Sequence, residues 1–435
     1  MRFPHNELNL EAICFWFSTG FFFKDDNFLL DSEHDDLIND VYEGWHYKPK
    51  DISFEKVVSQ FGDLFESLIR RKISGKNIIL PLSGGLDSRT LAAALKDNKN
   101  VIAYSYEFEG GKKETEYARK IAEVYGWEFY SYIIPRGYLW SKIDQLSKIN
   151  QCKTEFTHPR QMAVIDKISN LGELSLSGSM GDLLFDSISI DDESSLESQK
   201  KILMDLIVKS AGKEIAQDLW THWDLNKNLE HRLNNEIEQR YIDIDINNPA
   251  ARIRAFKALH YVRNWTNVNM KVFSSYNSVY APYQDKRMCE FICGIPEKYL
   301  ANRKIQIEYI KLKAPELANI PWQHYDLDLY TFNQFNTLYF PRRLYRFIKR
   351  MIEERIFNMT PIIQRNWELQ FVGSANNKIL KSWLFENEDL NKIIPKSIIE
   401  KYYDLFINGD SIKYSHSISM LLTISVWAKR IWAKS

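Results

Sequence analysis

Neither charge is in surplus: the 435-residue sequence carries 57 Lys+Arg against 57 Asp+Glu. That balance excludes the basic field that draws nucleic acid, and equally an electrostatic hold on an anionic membrane. Cysteine is scarce. Cys14, Cys152, Cys289 and Cys293 are too few and too scattered for a disulfide framework, and Cys289 and Cys293 lack the nearby histidines of a zinc site. They read as reduced, mostly buried thiols, which predicts a cytoplasmic protein. No apolar run can span a bilayer: ICFWFSTGFFF (13–23) stops at Lys24, Asp25 and Asp26. The N-terminal MRFPHNELNLEA carries acids where a signal peptide needs an apolar stretch. Internal repeats and low-complexity tracts are lacking too. What remains is 45% hydrophobic and 14% aromatic, ordinary for a globular chain long enough for two domains.

One stretch stands out, NIILPLSGGLDSRTLAAALKD (77–97). Ile78, Ile79 and Leu80 form the short apolar run of a strand buried in a parallel sheet. Past the turn, Leu91 and Leu95 recur at helical spacing among Ala92, Ala93 and Ala94. Between them Gly84 and Gly85 can take backbone angles closed to other residues and let a ligand approach the main chain. A strand-to-helix turn of this kind aims free N–H groups and a positive dipole end at an anion. The Walker pattern is absent. A carboxylate at Asp87 facing phosphates calls for a bridging Mg²⁺. A plain turn is the competing reading.

The surrounding pattern predicts an amphipathic helix over 53–73, with Val57, Phe61, Phe65 and Ile69 on one face, then a strand at 77–82 and a helix at 88–97. Strand 101–108, helix 114–126 and strand 128–134 follow. This alternation implies α/β architecture, a doubly wound parallel sheet with ligands outside the carboxyl ends of its strands. A further strand, ELSLSG (173–178), enters SMGDLLFD and repeats the first turn's logic, with Ser177, Gly178 and then Asp182. Two strand-end carboxylates of one sheet can share one Mg²⁺. The acidic stretch 187–200 reads as a mobile loop or linker, and the rest as mainly helical.

With these two motifs the chain resembles the synthetase domain of the asparagine synthetase family, among the N-type ATP pyrophosphatases. PLSGGLDSRTLAAAL, YSYEFEGGKKETEYARKIAEVYG, LSGSMGD and SSYNSVYAPYQDKRMCEFICGIPEKYLANRK carry the likeness, over roughly 55–320. The resemblance implies an adenine nucleotide alpha hydrolase-like sheet with a helical C-terminal half. It divides the chain into a leader (1–52), an ATP-pyrophosphatase domain (53–190) and a helical substrate-side region (191–435). It further implies that ATP adenylates a carboxylate, releasing pyrophosphate, and that ammonia or an amine then displaces AMP to form an amide. By position, Ser83, Gly84, Gly85 and Ser88 would bind pyrophosphate. Leu82, Tyr106, Ser177 and Gly178 would line adenosine, Asp87 and Asp182 would ligate Mg²⁺, and Lys304 would stabilise the adenylation transition state, with Arg303 its rival.

Three departures stand against the family pattern. Position 2 is Arg2, not the cysteine of a glutaminase, so the leader is expected to be at most the junction of a missing glutaminase domain. Ser179 occupies a place the family fills with Glu or Tyr, and it cannot act as a base. Either the acceptor differs from ammonia or the base comes from elsewhere, with Glu107, Glu155 and His158 as candidates, the last alternatively a cap or core residue. The Gly-Gly that usually follows the second motif is LLFDSI here. The basic segment 341–357 reads as an amphipathic helix with a solvated face, or as a dock for a peptide, carrier or lipid-linked glycan. The carboxylate partner would be a small molecule such as aspartate, a glycan uronate or a peptide side chain. A separate glutaminase or other biosynthetic subunit would supply nitrogen. The competing function is a non-catalytic nucleotide-binding subunit of a biosynthetic complex.

Overall fold

The structure, a computed structural model, describes residues 7–23, 26–30, 41–111, 113–334 and 368–432. Both the acidic 31–40 and the basic 341–357 lie outside the described residues. Five parallel strands, β1 Ile78–Pro81, β2 Val101–Phe108, β3 Glu128–Ile134, β4 Leu174–Leu176 and β5 Ser278–Tyr280, form one sheet in the order β3-β2-β1-β4-β5. The doubly wound parallel sheet read from the sequence is therefore present. The chain moves outward from β1 to β3 and then returns to lay β4 on the other side of β1. That reversal makes the β1–β4 boundary the topological switch point.

Side-chain alternation explains the layers. Ile78 and Leu80 join one core with α2 (Phe54–Ile73), α3 (Leu86–Ala94) and α4 (Glu114–Val124), while Ile79 and Tyr104 join the other. Helix α2 is the amphipathic element expected. Ser53 caps it by accepting from the Lys56 N–H, and Val57, Phe61, Phe65 and Ile69 are buried. Helix α3 begins at Leu86, two residues before the expected start, because Gly85 serves as its N-cap. The polar 187–200 does not remain a loop: Ser195 caps a helix at Leu196–Ile207. Strand β5 was hidden among helices because three residues carry no legible period.

The aromatic leader is core. In α1 (Leu10–Thr19), Ile13, Cys14, Trp16 and Phe17 are wholly buried, and α1 packs against the helix Ser210–His222. Trp16 donates its Nε1–H to the Lys153 carbonyl at 2.8 Å, stacks with Phe22 and meets Phe28 edge to face. All four cysteines are free and buried. Among the described residues no helix is long and apolar enough to cross a membrane. Removing a fully buried indole opens a large cavity, so Trp16→Ala should cost about 3–5 kcal/mol of stability by chemical denaturation. A loss below about 1 kcal/mol would mean the leader is not part of the core.

Candidate active site

Both motif turns leave the sheet at the switch point. The Leu82 N–H bonds to the Tyr104 carbonyl at 2.8 Å and the Ser177 N–H to the Tyr280 carbonyl at 2.9 Å, so each turn is pinned to a neighbouring strand. Within the first, Ser88 Oγ accepts from the Ser83 N–H at 3.1 Å and lies 3.1 Å from Ser83 Oγ, which accepts from the Gly85 N–H at 3.2 Å. Gly84 is needed for space, not for an unusual angle, since neither Gly84 nor Gly85 has positive φ. A Cβ on Gly84 would collide with Gln323. The unusual angle is in the second turn, where Met180 sits at φ +76°.

Asp87 is where the two turns meet. A Cβ on Gly178 would lie 3.1 Å from Asp87 Cβ, and one on Gly181 would strike the carboxylate itself. Asp87 Oδ1 accepts from Arg303 Nη1 at 2.7 Å and from Gln306 Nε2 at 2.9 Å. Burial pushes this carboxyl up to about 6, against the pull of Arg303 and with the push of Asp182. Among the described residues no donor reaches its Oδ2. Asp182 is exposed, and its Oδ1 accepts from the Leu183 N–H at 2.9 Å.

A cavity of about 350 Å³ opens over the switch point, lined in part by Leu82, Ser83, Asp87, Ser88, Tyr106, Ser177 and Gly178. Seven of the residues read from the sequence thus meet at one cleft. Gly85 and Asp87 also line a second cavity of about 500 Å³, with Arg303, Trp322 and Gln323. Gly84 packs beneath Gln323, and Asp182 does not line the first cavity, though its charge acts on Asp87.

Lys304 is not brought to the site. It is exposed at the start of the helix Lys304–Lys313, and its ammonium donates to the Lys298 carbonyl at 3.3 Å. Arg303 turns inward instead, because Asn302 and Arg303 both adopt left-handed backbone angles, φ +58° and +59°. The loop is held by Ser187, whose Oγ accepts from the Asn302 N–H at 2.9 Å.

Of the base candidates, Glu107 accepts from Thr115 Oγ1 at 2.7 Å and Glu155 faces His416 Nδ1 at 3.3 Å. His158 alone lines the cavity, its ring 4.0 Å from that of Trp265. Sequence reasoning missed Glu114, which lines both cavities, and Arg160 and Asn269, which line the first. Glu114 opens the helix after β2 and was findable from the rule that ligands sit at strand carboxyl ends. Arg160 and Asn269 come from irregular or helical segments with no motif.

A parallel sheet carrying two carboxylate-bearing turns at its switch point defines a nucleotide-binding α/β protein. The family model described as Asparagine synthase matches residues 61–306, more than half of the chain. The chain belongs to that family. Among curated proteins none matches. Similar solved structures include an NMN synthetase from Francisella tularensis, 14% identical with TM-score 0.23, covering 31% of this chain and 58% of that one. Another is an NH3-dependent NAD synthetase from Campylobacter jejuni, in complex with the nitrate ion, 19% identical with TM-score 0.22, covering 43% and 94%. The match thus spans 58% of the length of the NMN synthetase.

Burial, then the Arg160 charge, pushes His158 down to about 3, against Glu155, which favours its protonation. Its folded value lies below its unfolded value, so its contribution to stability is present above about pH 6.5 and declines as pH falls toward 3. Between pH 7 and pH 4.5 the wild type should therefore lose about 2–3 kcal/mol more than His158→Gln in urea denaturation. Equal losses would place the ring in water.

Proposed function

We propose that the chain joins a carboxylate to a nitrogen nucleophile by way of an acyl-adenylate, forming an amide with AMP and pyrophosphate as the other products. The observation that carries this reading is the meeting of the two turns on Asp87 at the switch point. In this reading 53–190 is the nucleotide domain and 191–435 the substrate side. Leu82, Tyr106, Ser177 and Gly178 line the adenosine, and Ser83, Gly84, Gly85 and Ser88 hold the departing pyrophosphate. Arg303, not Lys304, is the cation beside the reacting phosphate, since its guanidinium reaches Asp87.

The donor set suits Mg²⁺: two carboxylates, each with an oxygen that no described protein group engages, and no soft ligand. Asp87 and Asp182 would hold it, and when bound it would supply positive charge against the phosphate oxygens. The protein's own part is to hold Asp87 ionised against its burial, through Arg303 and Gln306. The four free buried thiols suit a reducing cytoplasm. The acceptor is a small-molecule, glycan or peptide carboxylate, and a separate glutaminase or other biosynthetic subunit delivers nitrogen.

One observation favours a non-catalytic nucleotide-binding subunit instead. Ser179 Oγ is occupied by Gln284 Nε2 at 3.2 Å, so neither a carboxylate nor a free phenol stands there. The products separate the two. With its acid substrate the protein should make AMP and pyrophosphate in equal amounts, and labelled pyrophosphate should exchange into ATP before any amine is added. ADP and phosphate as sole products would refute the adenylation chemistry, and ATP binding without turnover on any acid would favour the subunit reading. Asp182→Asn should cut turnover about 10²-fold while leaving the circular dichroism spectrum unchanged. Full activity in that variant would remove Asp182 from the site.

A further inference from the structure

Arg89 follows Ser88 in α3, and its side chain is wholly buried. Among the described residues no carboxylate meets it, and its guanidinium donates only to main-chain carbonyls, Ile320 at 2.7 Å, Pro321 at 2.9 Å, and Leu317 and Gly84 each at 3.4 Å. Its Nε has no hydrogen-bond partner among the described residues. Burial pulls the group down to about 10, still charged near neutral pH.

A buried cation without a counter-ion is among the costliest placements in a core, and an apolar side chain of similar volume is usually cheaper. Arg254 makes the contrast. Also buried, it donates to the Leu184 carbonyl at 3.0 Å, behind the second motif, but it is neutralised by Glu297 at 2.7 Å. Packing alone therefore does not account for Arg89.

The four carbonyls have one thing in common: they join the SGGLDS turn to the segment 317–323. The Gly84 carbonyl also accepts from the Gln323 N–H at 3.2 Å. On the opposite edge of the same peptide, the Gly85 N–H is held by Ser83 Oγ. The Gly84–Gly85 peptide is thus fixed from outside by Arg89 and Gln323 and from inside by the two serines.

We propose that Arg89 is a positioning residue for the phosphate end of ATP, its guanidinium locking segment 317–323 onto the Gly84 carbonyl and so fixing the orientation of the peptide that the triphosphate meets. It touches no nucleotide atom. The proposal rests on the reading of this turn as the phosphate site. A planar fork with several fixed donors suits the task, whereas a lysine reaches one or two carbonyls.

The test is calorimetric titration of the full chain with Mg-ATP and, separately, with adenosine. Arg89→Met should bind ATP about tenfold more weakly and adenosine unchanged, and Arg89→Lys should recover part of the loss, to about threefold. Equal weakening of both ligands would make Arg89 merely structural and overturn the proposal, as would unchanged ATP affinity. If Arg89→Met does not fold, Arg89→Lys decides, since an unaltered ratio of ATP to adenosine affinity refutes the role. A wild-type chain that binds no ATP would sink the ligase reading, and Arg89's role with it. Wild-type binding with unaltered variant ratios would sink Arg89's role alone.

Discussion

The site depends on burying one carboxylate at a sheet boundary. Asp87 projects from the first turn of α3 into the space that Gly178 and Gly181 leave by lacking side chains. Its side chain keeps 27% exposure, so water solvates it only in part and the protein supplies the rest. Arg303 and Gln306 do so on one oxygen, and Gln306 is itself buried and donates to Tyr283 Oη at 3.0 Å. Tyr283 in turn donates to the Asp87 carbonyl at 3.3 Å. A closed network of this kind fixes the carboxylate in direction as well as charge. The two turns must then move together, because each is packed against the same group.

Main-chain carbonyls do much of the fastening around that centre. Arg89 gathers carbonyls behind the first turn and Arg254 those behind the second. Both are charged groups inside an apolar layer, and each ties the sheet to helices that arrive more than 60 residues later. The strands themselves are short, three or four residues in β1, β4 and β5. Their ladders alone give little stiffness. The rigidity of the switch point comes from these side-chain clamps.

The parts legible in the sequence were those with a period or a local reason. β2 and β3 were read to the residue, α2 and the SGGLDS turn nearly so, because alternation, capping and glycine pairs act over a few neighbours. β5 was not legible, since its place is decided by pairing with β4, a hundred residues away. Nor was the choice between Arg303 and Lys304. It turns on two successive left-handed residues, which the sequence Asn-Arg does not announce. The second cavity was invisible for the same reason, being assembled from loops far apart in sequence. Ser195, by contrast, was a readable cap that the acidic composition around it masked.

The leader carries a consequence for how the chain is made. Both ring nitrogens of His416 face acceptors, Glu155 Oε2 at 3.3 Å and, at 3.0 Å, the carbonyl of Phe17, 399 residues earlier. Phe28 likewise meets Trp427 with ring centroids 4.4 Å apart. This aromatic stretch is therefore made well before the C-terminal helix that meets it. At ribosomal rates of roughly 5–20 residues per second, Ile13 to Phe23 waits tens of seconds for the helix Ser411–Trp432 that closes over it. In that interval the face met by the C-terminal helix lacks its cover on a tethered chain, where a chaperone can shield it.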